Sequence, residues 1–174
     1  MKLGDKAIAF ELPGVDGKTW SLHDFERAKV LVVVQMCNHC PYVVAYQDRM
    51  NALAVAEAGE GVAFVGINSN NAETHPSDSF HHMKLRAQEA AIPFPYLHDE
   101  SQHVARAYGA ERTPEFFVFD EHRKLVYTGR LDDNMEEPER VTADYLRDAI
   151  DAAKSGTVPA VTQTQAVGCT VKWK

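Results

Sequence analysis

The chain has 174 residues, 45% of them hydrophobic and 25% charged, with a formal net charge of -7. That length supports one sizeable core, and a single domain over residues 1–174 is expected, with its core at about 3–154 and a tail at 155–174. An acidic balance without clustered Lys and Arg excludes a nucleic-acid footprint and disfavours anionic membranes. The longest apolar run, Val30 to Val34, falls far short of the roughly 20 residues that a membrane span needs. The first ten residues, MKLGDKAIAF, show no apolar stretch followed by a small-residue cleavage site, so a cytoplasmic location is expected.

In chain order, Phe10 to Leu22 reads as a hairpin turning at Asp16-Gly17. Val30 to Met36, VLVVVQM, is a continuous apolar run of the kind found in a strand covered on both faces. Pro41 to Ala58 carries apolar residues at helical spacing and stops at Gly59 and Gly61. Val62 to Asn68 predicts the next buried strand. A helix over Ser79 to Ala91, opening after Asp78 or Ser77 as cap, ends at the Pro-rich Ile92-Pro93-Phe94-Pro95. A short strand at Tyr96 to His98 and a helix at Ser101 to Tyr108 follow, then a strand hairpin of Phe116 to Asp120 and Leu125 to Leu131. Pro138 to Lys154 predicts a last helix, with Gly156 beyond its end, and Thr170 to Trp173 a short β-like close. This order predicts an α/β three-layer fold on a mixed sheet.

The chemistry concentrates where the first buried strand runs into a helix, at Met36-Cys37-Asn38-His39-Cys40-Pro41. A cysteine at a helix N-terminus faces unpaired backbone N–H groups that favour its thiolate. At pH 7 a thiol of pKa about 8.5 is roughly 3% ionised, and one shifted to about 6.5 roughly 75%. Cys37 is therefore expected to be the nucleophile, Cys40 the more buried resolving thiol, and His39 a cation that stabilises the reduced couple and makes it oxidising. The competing reading of a C-x-x-C is half a metal site, which His75, His81, His82 or His98 would complete. No second C-x-x-C is present, and redox use is the better account.

The apolar strand entering C-N-H-C-P, together with Arg112-Thr113-Pro114 ahead of FFVFD, resembles the thioredoxin superfamily over residues 3 to 154. The opening LGDKAIAFELPGVDGKTWSLHDF is similar to the N-terminal hairpin of peroxiredoxins and of TlpA/ResA-like thiol-disulfide oxidoreductases. The strand-helix material between Asn70 and Tyr108 marks the same branch, as an insertion relative to a minimal thioredoxin. The tail Gly168-Cys169-Thr170-Val171-Lys172-Trp173 resembles that of peroxiredoxin-like proteins carrying C-x-x-C.

The resemblance implies a thioredoxin-like three-layer fold with an N-terminal hairpin and an inserted strand-helix element. It also implies a cis Thr113-Pro114 bond beside the cysteines that offers an edge to an extended substrate. The implied function is thiol-disulfide exchange through Cys37 and Cys40, with a protein or small-molecule thiol or disulfide as substrate, a dithiol as reductant and no bound cofactor. Peroxidase (antioxidant) chemistry is the alternative, with peroxide as substrate and Cys37 as the reacting thiol. The peroxiredoxin Pro-x-x-x-Thr-x-x-Cys is absent here, since Val34 stands three residues before Cys37. The acid of thioredoxin is replaced by Leu31 and that of the TlpA-like proteins by Val43, which leaves His39 or solvent to carry protons.

Four further groups have weaker claims. Cys169 is either a small buried side chain or a second resolving thiol brought back by the tail. Asp132, Asp133 and Asn134 read first as a solvated turn and second as substrate-shaping residues. Arg112 and Arg130 read as structural ion-pair partners or as a substrate-anion site. Trp20 reads as packing.

Overall fold

A computed structural model describes residues 1–174. The hairpin is formed by β1 (Glu11–Pro13) and β2 (Thr19–Ser21), with Leu12 opposite Trp20. Trp20 stacks on Phe25 with ring centroids 5.6 Å apart, in agreement with its packing role. Next come β3 (Val30–Gln35), α1 (Pro41–Glu57), β4 (Val62–Asn68), α2 (Phe80–Glu89), β5 (Tyr96–His98) and α3 (His103–Tyr108). The chain continues through β6 (Arg112–Thr113), β7 (Glu115–Phe119), β8 (Leu125–Gly129), α4 (Tyr145–Lys154) and β9 (Cys169–Thr170).

Five strands form the central sheet in the order β5-β4-β3-β7-β8, parallel from β3 to β5 and antiparallel from β3 to β8. This is the expected α/β thioredoxin-like arrangement, with a mixed sheet between helical layers. Every residue of β3 is buried because both faces of the sheet are covered. The strand's period of two divides its side chains between two cores. Val30, Val32 and Val34 pack with Val43, Tyr46 and Met50 of α1 and with Leu146 and Ile150 of α4. Leu31 and Val33 pack with Phe10, Phe25, Val104 and Tyr108 on the other face. Burying each such Val or Leu contributes about 1.5–3 kcal/mol, so the end of β3 beneath the cysteines is a rigid floor. No helix is long and apolar enough to cross a membrane.

Two helix boundaries bearing on the site differ from expectation. Helix α2 is capped by Ser79, whose hydroxyl accepts from the His82 N–H at 3.3 Å, and not by Asp78 or Ser77. Asp78 turns inward instead, as described below. Replacing Ser79 with alanine is expected to lower stability by about 1 kcal/mol, read as a shift in the chemical-denaturation midpoint at unchanged slope.

The single helix expected from Pro138 is in fact a 3-10 turn at Pro138–Arg140, an extended link, and α4 from Tyr145. The link is held out of helix by Asp133, whose carboxylate accepts from both the Thr142 N–H and its hydroxyl. Asp144 then caps α4 through the Arg147 N–H. Helix α1 begins at Pro41 as expected, with Cys40 as its cap residue; Cys37, expected at the helix N-terminus, stands three residues ahead of the cap and outside the first turn.

Candidate active site around Cys37 and Cys40

Both sulfurs converge on one residue of the neighbouring β6. Cys37 Sγ lies 3.4 Å from Thr113 Oγ1, and Cys40 Sγ lies 3.4 Å from the Thr113 carbonyl oxygen, to which its S–H donates while protonated. The Thr113–Pro114 peptide bond is cis. Thr113 is thus brought to the cysteines as the sequence predicts, and Pro114 follows it into β7.

The electrostatics of the pair differ from expectation. Its hydrogen bond to Cys40, then burial, then the nearby Asp78 carboxylate push the Cys37 thiol upward. Cys40 is pulled down, because it takes the S–H of Cys37 as donor and receives the N–H of Val43 in the first turn of α1 and the N–H of Cys169. The S–H of Cys37 is the largest influence on Cys40, and the helix boundary adds to it, because the Val43 N–H of the first turn faces Cys40 and not Cys37. The burial order is also reversed, with Cys37 at 3% exposure and Cys40 at 8%. His39 stands exposed on the rim and forms no hydrogen bond with either sulfur, so the asymmetry of the pair comes first from Cys37 donating to Cys40 and then from the N–H groups of Val43 and Cys169.

The loop that carries Cys37 is pinned from below. Asp78 Oδ1 accepts from the Asn38 backbone N–H at 2.8 Å and from Asn68 Nδ2 at 3.1 Å, and its Oδ2 accepts from Asn70 Nδ2 at 3.0 Å. The Asn38 side chain donates to the Ser77 carbonyl at 2.7 Å and accepts from the Tyr96 hydroxyl at 2.7 Å. Complete burial pushes the Tyr96 phenol up, which keeps it a donor. Asn38 and Asn68 are fully buried, and Asp78 and Asn70 nearly so. A buried carboxylate whose partners are all donors is a fully satisfied acceptor, a costly group to hold without such partners.

Sequence reasoning saw Asp78 only as a helix cap. The signal that could have found it is the polar run Asn68-Ser69-Asn70-Asn71 directly after a buried strand, since buried amides need an acceptor.

The tail completes the site. Cys169 is the in-register antiparallel partner of Thr113 in the β6–β9 pair, and Thr170 that of Arg112. A cleft of about 180 Å³ is lined by Cys37, His39, Cys40, Asn70, His75, Ser77, Asp78, Cys169 and Lys172. The edge expected to receive an extended substrate is therefore taken by residues 168–170 of the same chain. Gly168 makes this possible: a Cβ there would lie 2.0 Å from the Thr113 carbonyl oxygen. Gly168→Ala is expected to lift the tail and cost about 1–3 kcal/mol, with faster proteolysis after residue 160 as the local readout.

The remaining candidates fall elsewhere. Of the histidines considered as metal ligands, His75 alone lines the cleft; His81 and His82 lie on the open face of α2, and His98 stacks on Phe80 at 5.3 Å. Asp132 is buried and pairs with Arg49 at 2.5 Å, while Asp133 is the link's cap and Asn134 receives Arg49 through its carbonyl. None of the three lines the cleft at the cysteines. Arg112 donates to the Gly168 carbonyl at 2.8 Å and holds the tail, and Arg130 lies over the Tyr145 ring at 5.5 Å.

Comparison with solved structures places the chain among thioredoxin-fold proteins. It is 43% identical to an uncharacterized conserved protein from Geobacillus kaustophilus, with a TM-score of 0.94 over 99% of this chain and 93% of that one. It is 38% identical to a hypothetical protein from Sinorhizobium meliloti, again with a TM-score of 0.94, over 100% of this chain and 96% of that one. A thiol:disulfide interchange protein of the thioredoxin family from Chlorobium tepidum shares the fold at 21% identity and a TM-score of 0.68, covering 88% of this chain and 99% of that one. No match was found among curated proteins. The Redoxin family model matches residues 2–146, and with that span covering most of the chain, the protein belongs to the Redoxin family.

Proposed function

We propose that the protein is a thiol-disulfide oxidoreductase that cycles Cys37 and Cys40 between dithiol and disulfide. The observation that carries this reading is the meeting of both sulfurs at Thr113, with Cys40 at the cap of α1. The Cys37 S–H, with the N–H groups of Val43 and Cys169, pulls Cys40 down and makes it the better leaving group. In the oxidised protein an incoming thiolate attacks Cys37 Sγ, the Cys37–Cys40 bond breaks, and Cys40 departs as a thiolate. A second substrate thiolate then attacks the substrate sulfur of the mixed disulfide and expels Cys37, which takes a proton. Two electrons have passed from the substrate dithiol to the protein, and a partner disulfide is reduced to a dithiol to return the couple to its starting state. Run in reverse, Cys37 attacks a substrate disulfide and Cys40 resolves the mixed disulfide.

Stabilising the reduced form makes the couple more oxidising, so equilibration with glutathione buffers should give a potential above the roughly -270 mV of an ordinary thioredoxin. The deciding experiment is single-turnover oxidation of the reduced protein by a small disulfide and, separately, by hydrogen peroxide. The disulfide should react far faster than it does with free cysteine, and peroxide no faster. The reverse outcome would overturn the reading in favour of a peroxidase.

A further inference from the structure

We propose that Cys169 is a third redox thiol, which takes Cys40 over from Cys37 in an internal exchange. This rests on the Cys37/Cys40 reading. In the oxidised protein the Cys169 thiolate attacks Cys40 Sγ, a Cys40–Cys169 bond forms, the Cys37–Cys40 bond breaks, and Cys37 leaves as a thiolate that takes up the proton Cys169 gave to solvent. The protein stays oxidised by two electrons throughout. Its gain is a free Cys37 within an oxidised molecule.

Three independent observations carry this. The first is convergence: Cys37 and Cys40 both touch Thr113, Cys169 is the strand partner of Thr113, and all three line one cleft. Directly opposed residues of an antiparallel pair have Cα atoms roughly 4.5–5.5 Å apart, which puts Cys169 against the same residue as the other two.

The second is anchoring on both sides of Cys169. Before it, Arg112 holds the Gly168 carbonyl at 2.8 Å. After it, the Val171 N–H donates to the Glu111 carbonyl at 3.0 Å, the Lys172 N–H donates to Asn70 Oδ1 at 2.9 Å, and the Lys172 carbonyl accepts from Gln102 Nε2 at 2.8 Å. Beyond these, Arg106 lies over the Trp173 ring at 4.4 Å. A thiol needed only as a small apolar filler would not need such a frame.

The third is the chemistry of the neighbours. Cys40 contacts both other thiols, whereas Cys169 meets Cys40 alone, so Cys40 is the central sulfur. Burial and the Cys40 anion beside it hold Cys169 protonated while the couple is reduced. Once Cys40 is bound in a disulfide that anion is gone, while the cations of Lys172 and Arg112, which favour a Cys169 thiolate, remain. Cys169 is also the most exposed of the three thiols, so the exchange carries the disulfide toward solvent and an external reductant.

The test is disulfide mapping. Reduced protein is treated with one equivalent of diamide, which takes two electrons and two protons from a thiol pair, then acid-quenched, alkylated, digested and analysed by mass spectrometry. Wild type is expected to give both Cys37–Cys40 and Cys40–Cys169 peptides, and Cys37→Ser to give Cys40–Cys169 within a single chain. Free Cys40 and Cys169 in a natively folded Cys37→Ser protein, or bonds only between chains, would overturn the proposal. Should that variant fail to fold by circular dichroism, the wild-type map decides: no Cys40–Cys169 peptide there overturns it equally. Cys169→Ser reads the underlying function separately, since absence of a Cys37–Cys40 bond in that variant would sink the oxidoreductase reading and not the relay alone.

Discussion

Cys37→Ser and Cys40→Ser are each expected to lower turnover of a small disulfide by a dithiol reductant on the order of 10³-fold or more, because each removes a group that works only as part of a unit. The two losses should differ in kind. Without Cys40 the mixed disulfide formed on Cys37 has lost its resolving thiolate, so a substrate adduct on Cys37 should accumulate and be visible as a mass increase. Without Cys37 no such adduct forms at that position, and catalysis stops at entry.

The reduced wild-type protein provides a third readout. Limited alkylation at pH 6 should mark Cys40 ahead of Cys37, since Cys40 is lowered by the S–H of Cys37 and by neighbouring N–H groups, while Cys37 is raised by that same hydrogen bond, by burial and by Asp78. Preferential labelling of Cys37 would reverse the assignment of charge within the pair.

Asp78→Ala is expected to be the most damaging change outside the cysteines. It removes the acceptor of the Asn38 N–H and of the Asn68 and Asn70 amides. Leaving a buried donor without a partner costs about 1–3 kcal/mol, so three together should cost about 3 kcal/mol or more, even where water relieves part of the loss. For a chain of this size that is a fall of roughly 6–12 °C in Tm.

Asp78→Asn separates charge from shape. It keeps a side chain of the same size while removing the anion that raises Cys37. Cys37 should then ionise at lower pH than in wild type, which can be read from the pH dependence of its alkylation. An unchanged or higher midpoint would show that the Cys40 hydrogen bond and burial set the Cys37 thiol without Asp78.

Much of this was legible because the signals are local. A run of six buried residues in β3, a C-x-x-C at its end and a Thr-Pro before a second apolar strand each follow from covalent neighbours and from the period of side chains. Asp78 was not legible, because its role depends on Asn38, Asn68 and Asn70 arriving from two other segments, and a lone Asp before a helix looks like a cap. The distribution of charge within the pair escaped for a narrower reason: the start of α1 at Pro41 was legible, but which sulfur donates to the other depends on how the two side chains are turned. The break between Pro138 and Tyr145 was hidden in the same way, since the Asp133 carboxylate that holds the link comes from outside it. Cys169 was a candidate in the sequence, but its pairing with Thr113 is set by a contact 56 residues long in the chain, counted from the register of β6 and β9.

That long contact also sets an order of assembly. Every other part of the cleft is synthesised before residues 168–172, so the Cys37–Cys40 pair exists in the nascent chain with Thr113 unpaired and the edge beside it open. A disulfide made at that stage can only be Cys37–Cys40. Docking of residues 168–170 then closes the edge and brings Cys169 opposite Thr113, so the closed form of the cleft waits on the arrival of this segment at β6.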